Sequence, residues 1–133
     1  MPDPLPPPSV PVSWGELIDK ITILEIKVAR IAEARARAHA AAELDLLRAA
    51  AAPGFARHAD LAALAAELRG VNETLWQIED DIRARERAGD FGADFIALAR
   101  AVYRTNDRRA AIKRTINDRL GSPLVEVKQY SAY

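Results

Sequence analysis

Apolar residues recur along most of this chain at spacings of three and four, the period of an amphipathic helix. Leu17, Ile21, Leu24, Val28 and Ile31 form one such line. Ser13 followed three residues later by Glu16 makes a capping box, so the first helix is expected to begin at Trp14. Ile18, Ile23 and Ile26 lie off that line, so the helix is apolar on more than one side. It should pack against two partners, either two helices or one helix and a second subunit. Beyond Ile31 the pattern thins into alanine and arginine, returns at Leu44, Leu46 and Leu47, and meets "AAPG" at 51–54 as an expected stop.

A second helix is predicted from about Asp60, with Leu61, Leu64, Leu68, Val71, Leu75, Ile78 and Ile82 in unbroken 3-4 alternation. "RAGDFG" at 87–92 should end it. A third has Asp94 as its expected cap and Leu98, Val102, Thr105, Arg109, Ile112, Ile116 and Leu120 along its inward side. Gly121 and Pro123 are suited to stop that helix. The pattern predicts an all-α, antiparallel three-helix bundle with a long first helix, dimeric through helix one or the Trp76 face. Residues 1–12 read as a proline-rich extended arm, 13–121 as one helical domain, and 122–133 as an extended tail that could lie beside "SVPVS".

Composition sharpens this picture. Alanine accounts for 27 of the 133 residues, which favours helix but contributes little burial. The 19 basic and 19 acidic residues cancel, which weakens a nucleic-acid role for the chain as a whole. Charge is nevertheless uneven. Residues 60–90 hold eight acids and four bases, and residues 100–119 hold seven bases and two acids, so the last two predicted helices should attract each other. Without cysteine, no disulfide or thiolate chemistry is available. No membrane span or signal peptide is expected, and a cytoplasmic location fits.

Polar residues at the helix seams carry the candidate chemistry. Arg109 lies near the middle of the third helix's apolar side, with Thr105 beside it and Asn106 and Lys113 at its edge. Lys20 and Lys27 border the first seam, and Asn72 and Glu79 border the second. A buried arginine costs several kcal/mol unless it is paired and hydrogen-bonded. Two readings therefore compete. Arg109 pairs with Glu79 or a neighbouring acid and sets register, or Lys20, Lys27, Arg109 and Lys113 converge on an anionic ligand that Asn106 and Glu79 help to orient. Trp76 lies opposite its own seam and, with Ile23 and Ile26, is a candidate interface. Trp14 is expected to close one end of the bundle.

Other patterns lead nowhere. "DFG" at 90–92 lacks every companion element of a kinase, and no phosphate-binding glycine loop or metal-ligand spacing is present, so no metal or cofactor is expected. His39 and His58 read as surface residues. Arg100, Arg104 and Arg108 share one side of the third helix, but no interleaved aromatics accompany them, and nucleic acid is not the expected partner.

"PVSWGELIDKITILEIKVARI", "LWQIEDDIR", "FGADFIALARAVYRTNDRRAAIKRTIN" and "GSPLVEVKQY" together resemble a family of small bacterial proteins of unknown function. The resemblance covers nearly all of the chain after Val10. It implies a role near cell-envelope carbohydrate metabolism, because some members are encoded near sugar transferases. It brings no catalytic residue with it. The arrangement is also similar, at the level of fold, to all-helical chorismate mutase, whose pocket Lys20, Lys27, Arg109 and Glu79 could imitate. The first expectation for function is thus an interaction or assembly protein rather than an enzyme. The alternative is a binder of, or a mutase-like enzyme acting on, a small anionic metabolite between the helices.

Overall fold

A computed structural model describes residues 2–133 and forms them into four helices. These are α1 (Trp14–Arg30), α2 (Ala34–Arg57), α3 (Leu61–Ala88) and α4 (Ala93–Leu120). The expected count of three is corrected to four, because the long first helix divides at residues 31–33. Ile31 adopts an extended backbone with φ −72° and ψ 123°. Glu33 then opens α2, its carboxylate accepting the backbone N–H groups of Arg35 at 2.9 Å and Ala36 at 2.6 Å. Those bonds, to Ala36 first and then Arg35, hold the Glu33 carboxyl below its ordinary value of 4.5. Arg37 covers the other side of the break, donating to the Ile31 carbonyl at 3.3 Å.

The expected stop at 51–54 also moves. Pro53 lies inside α2, which continues to Arg57. Proline removes one helical N–H, but tertiary packing supports this turn: Ala51 and Gly54 are buried. A side chain on Gly54 would meet Trp14 Cζ3 at 2.7 Å, so the absence of one lets the indole lie against the helix. At the other boundaries, Gly89 and Gly121 take left-handed conformations after α3 and α4. The start of α4 is corrected as well. Gly92 occupies the cap, while Asp94 lies in the first turn and pairs with Arg85 at 3.4 Å.

Ile18, Ile21, Leu24, Leu44, Leu61, Leu68, Val71, Ile112 and Ile116 form one buried cluster, drawn from all four helices. Each such side chain contributes roughly 1.5–3 kcal/mol of burial. Helix α1 packs against α2, α3 and α4, so its several apolar sides are covered within the chain. The structure gives no support to the expected dimer, since no second subunit is needed to close the core. Residues 2–12 are exposed and join no helix or strand, so the structure gives no support to a distinct proline-rich arm. The expected pairing of "SVPVS" with the tail is likewise absent, with no strand among the described residues. Nor, among the described residues, is any helix long and apolar enough to cross a membrane.

After Gly121 the chain turns back along α4. Ser122 accepts the Trp14 backbone N–H at 3.3 Å, Glu126 reaches Lys113 at 2.8 Å, and Tyr133 donates its hydroxyl to Asp107. The C-terminal segment therefore runs opposite to α4 over about its C-terminal half. The charge contrast between α3 and α4 is satisfied only in part as expected, by Arg119 of α4 with Asp60 at the cap of α3. Acids of α3 pair within their own helix, as in Arg69–Glu73 and Arg83–Glu79, each at 3.2 Å. Bases of α4 reach α1, the C-terminal segment and Asp60.

Candidate functional site

Gly15, Asp19, Thr22 and Ile26 follow one another on α1 at spacings of four, three and four, and all are buried. This second stripe faces α3 and α4, and it is partly polar. Asp19 is its centre, with a side chain only 2% exposed. Its Oδ1 accepts from Arg109 Nε at 2.9 Å and from Asn72 Nδ2 at 2.9 Å. Its Oδ2 accepts from Arg109 Nη2, with Lys113 Nζ 3.8 Å away. Asn72 also donates to Thr22 Oγ1 at 2.9 Å, and that hydroxyl donates to the Asp19 carbonyl at 2.8 Å. Three helices thus meet through one carboxylate. Among the described residues no buried side-chain nitrogen or oxygen lacks a partner, which is the condition under which a buried polar network is tolerated.

The backbones of α1 and α4 come close to allow this. Gly15 N–H donates to Asn117 Oδ1 at 2.7 Å, and a Cβ on Gly15 would lie 2.5 Å from the Lys113 carbonyl oxygen. Lys113 is itself buried, its ammonium held by Glu16 at 2.9 Å and Glu126 at 2.8 Å. Burial pulls the Lys113 pKa down, but hydrogen bonds to Glu126 and Glu16 and the charge of Asp19 outweigh it, and the net direction is up. Glu126 moves the opposite way, held below the ordinary carboxylate value chiefly by its hydrogen bond to Lys113. For Arg109 the hydrogen bond to Asp19 outweighs burial and keeps the guanidinium charged.

Arg109 differs from its partners in one respect. Asp19 engages Nε and Nη2, yet the side chain remains 28% exposed. Two cavities share it and its neighbour Asn106. The larger, about 920 Å³, lies between α4 and the C-terminal segment, lined by Tyr103, Asn106, Asp107, Arg109, Lys128, Tyr130 and Tyr133 among others. The smaller, about 570 Å³, lies among α1, α3 and α4, where Ile23, Ile26, Leu75, Trp76, Glu79 and Val102 meet Asn106 and Arg109.

The expected site residues separate into three groups. Glu79, Asn106 and Arg109 line the smaller cavity together. Lys113 joins Arg109 through Asp19 rather than through open space. Lys20 pairs outward with Glu43 on α2 at 3.0 Å, and Lys27 lines neither cavity. The acid that holds Arg109 is Asp19, while Glu79 pairs with Arg83 along its own helix. Of the expected interface residues, Ile26 is buried, and Ile23 and Trp76 are half-buried on the smaller cavity. Arg30 lies over the Trp76 ring, 6.0 Å from its centroid. Asp19, Thr22, Asn117, Glu16 and Glu126 were not expected here. The legible signal for Asp19 and Thr22 was their register with Gly15 and Ile26 on a helix already apolar on several sides. No group of three or more histidine or acidic residues suited to a metal ion occurs among the described residues.

Chemically, the site presents a guanidinium fixed along one edge by an internal carboxylate, with its remaining surface turned to two recesses. Residues 9–133 match the model of a family of unknown function, DUF6165. No curated protein and no solved structure matches the chain, and nothing in these comparisons supports the analogy to chorismate mutase.

Proposed function

Because that match spans nearly the whole chain, the protein belongs to this family, and we propose that it binds a small anionic ligand in the cleft between α4 and the C-terminal segment, with Arg109 as the anchor. One observation carries this reading. Asp19 grips one edge of the guanidinium inside the bundle and leaves the rest on the shared wall of two cavities. An arginine that only set register would spend its donors inside the protein. Here the side chain is held still by a buried partner and remains partly open to solvent. That is pre-organisation, and it reduces the entropy lost when an anion is bound. A guanidinium suits carboxylates and phosphates because its planar fork can donate two parallel hydrogen bonds. The volume of the larger cavity falls in the range of small-molecule sites.

The interaction reading draws on the apolar side of the smaller cavity, where Ile23, Leu75, Trp76 and Val102 meet. Ile26 is already buried and Arg30 lies over the Trp76 ring, which narrows the apolar surface that a partner could reach there. The anion-binding reading is preferred for that reason.

Its test is a titration of the protein with acetate, inorganic phosphate and larger carboxylates, followed by the Arg109 Nε–H resonance in 15N spectra and by calorimetry. The companion variant is Arg109→Lys, which keeps a cation for Asp19 but loses the fork. The expected result is a saturable shift at Arg109 and an affinity lowered at least tenfold in the variant, with helicity by circular dichroism unchanged. Equal binding by the variant, or no shift with any anion, overturns the reading.

A further inference from the structure

From the lining of the same cleft we infer the class of ligand: a flat ring carrying a single negative charge, an aromatic monocarboxylate, with its carboxylate on Arg109 and its ring among the tyrosines. This rests on the anion-binding reading and narrows it.

The first support is where the tyrosines lie. The chain has three, and all three line this one cavity. They come from distant places, Tyr103 from α4 and Tyr130 and Tyr133 from the returning segment. They are far from packed away, with Tyr130 and Tyr133 more than three-quarters exposed. Tyr103 and Tyr133 already meet edge to face, their centroids 5.0 Å apart. Lys128 Nζ lies 5.8 Å from the centre of the Tyr130 ring. Exposed rings gathered around a recess leave apolar area that a planar guest would cover, in the offset or edge geometry aromatic pairs prefer. An aliphatic acid would gain much less from them.

The second support is charge. Two cations line the cleft, Arg109 and Lys128, and each already has a carboxylate partner, Arg109 in Asp19 and Lys128 in Glu126. Asp107 adds one negative charge beside Tyr133, and Arg104 nearby offsets it. The wall is therefore balanced and has no surplus positive charge for a di- or triphosphate. A singly charged acid needs one favourable anchor, and Arg109 supplies it. Asn106, beside Arg109 on the same wall, offers an amide that can donate or accept. On the neighbouring cavity Arg83 is taken up by Glu79 and Asp80 adds a further negative charge, so a multiply charged ligand gains nothing by extending past Arg109.

The experiment compares phenylacetate and indole-3-acetate with acetate, phenylacetamide, inorganic phosphate and ATP, on the full chain and on Tyr133→Ala. Tyr133 is exposed, so its removal should leave the fold intact. The two aromatic acids should bind roughly tenfold or more tighter than acetate, the size expected when one aromatic contact is added. Tyr133→Ala should erase most of that preference, lowering the affinity for the aromatic acids far more than that for acetate. If acetate equals the aromatic acids, the ring assignment fails and anion binding at Arg109 stands. If phosphate or ATP binds tightest, the single-charge assignment fails. If phenylacetamide binds as well as phenylacetate, or no probe binds, the anion-binding reading fails too.

Discussion

Helix α1 presents two buried stripes that do different work. One, through Ile18, Ile21 and Leu24, is wholly apolar and joins the common core. The other, through Gly15, Asp19, Thr22 and Ile26, is half polar, and it meets α3 and α4, reaching the smaller cavity at Ile26. The first is held by area removed from water, which is non-directional and tolerant of shape-conserving change. The second is held by a carboxylate whose donors come from two other helices, and it is intolerant of any loss. The contrast teaches why an arginine can stand in the inward line of α4. Its partner was placed on a different face of α1 from the seam that a heptad reading finds first.

The largest effect expected is on that polar stripe. Asp19→Leu strips acceptors from Arg109 and Asn72 and leaves cations facing a hydrocarbon, and should cost about 3–5 kcal/mol. Ile18→Ala in the apolar stripe should cost a similar amount, about 2–5 kcal/mol, by leaving a cavity. Repair separates the two. Adding Arg109→Met to Asp19→Leu should recover much of the loss, because apolar pairs commonly replace buried ion pairs without penalty. No second substitution of a charged residue should rescue Ile18→Ala. Urea midpoints of the three variants, set against the unaltered protein, measure this. A double variant no more stable than Asp19→Leu alone would show that Asp19 acts through Asn72 and Lys113 rather than through Arg109.

Next in size is the close approach that brings the polar stripe to α4. Gly15→Ala would set a methyl group 2.5 Å from the Lys113 carbonyl oxygen, a backbone atom that cannot swing aside. Overpacking of this kind costs about 1–3 kcal/mol. It should also lengthen the Asn117 hydrogen bond to the Gly15 N–H, which faster amide exchange at Gly15 would report. At Gly70, where nothing lies within 4 Å, the same substitution should stabilise the helix slightly. An unaltered midpoint for Gly15→Ala would mean the two helices separate without loss.

Much of this architecture was readable from the chain. The α3 seam, from Leu61 to Ile82, carried no break in its period, and α3 formed where expected. Gly121 ended α4 as its position implied. The division of the first helix was hidden because Ile31, Ala32 and Glu33 include neither glycine nor proline. The break depends on a glutamate side chain turned back onto its own backbone, a role more usual for serine, threonine or aspartate. Pro53 misled in the opposite direction, since burial of Ala51 and Gly54 carries α2 past it. At the site, Arg109 stood out because it interrupted an apolar line. Asp19 did not, because the Leu17–Ile31 seam passes beside it. Lys20 and Lys27 belonged to the border of that seam by spacing, yet the Lys20 side turned out to face α2. Distances across the fold, such as that of Glu126 to Lys113, have no local signature at all.

The smallest effect belongs to that last contact, and it is read locally rather than from global stability. The Glu126 carboxyl titrates lower in the folded protein than its ordinary value of 4.5, so the contribution of its pairing is full above that value. It is lost as the pH falls through the lowered folded value. The Lys113 ammonium titrates higher than its ordinary 10.5, so its contribution is full below 10.5 and is lost as the pH rises through the raised value. Between these limits the C-terminal segment should stay docked along α4. As the pH falls through that lowered value it should loosen, before the apolar stripe is affected, because that stripe contains no titrating group. Side-chain resonances of Tyr130 and Tyr133 should move toward free-tyrosine positions in this range, while those of Ile18 and Leu68 stay in place. Glu126→Gln should show the loosened tyrosine signals already at neutral pH and lose the acid transition. Tyrosine signals that move only together with those of Ile18 would show instead that the segment and the core are one cooperative unit. The two stripes of α1 would then differ in chemistry but not in the order in which they yield.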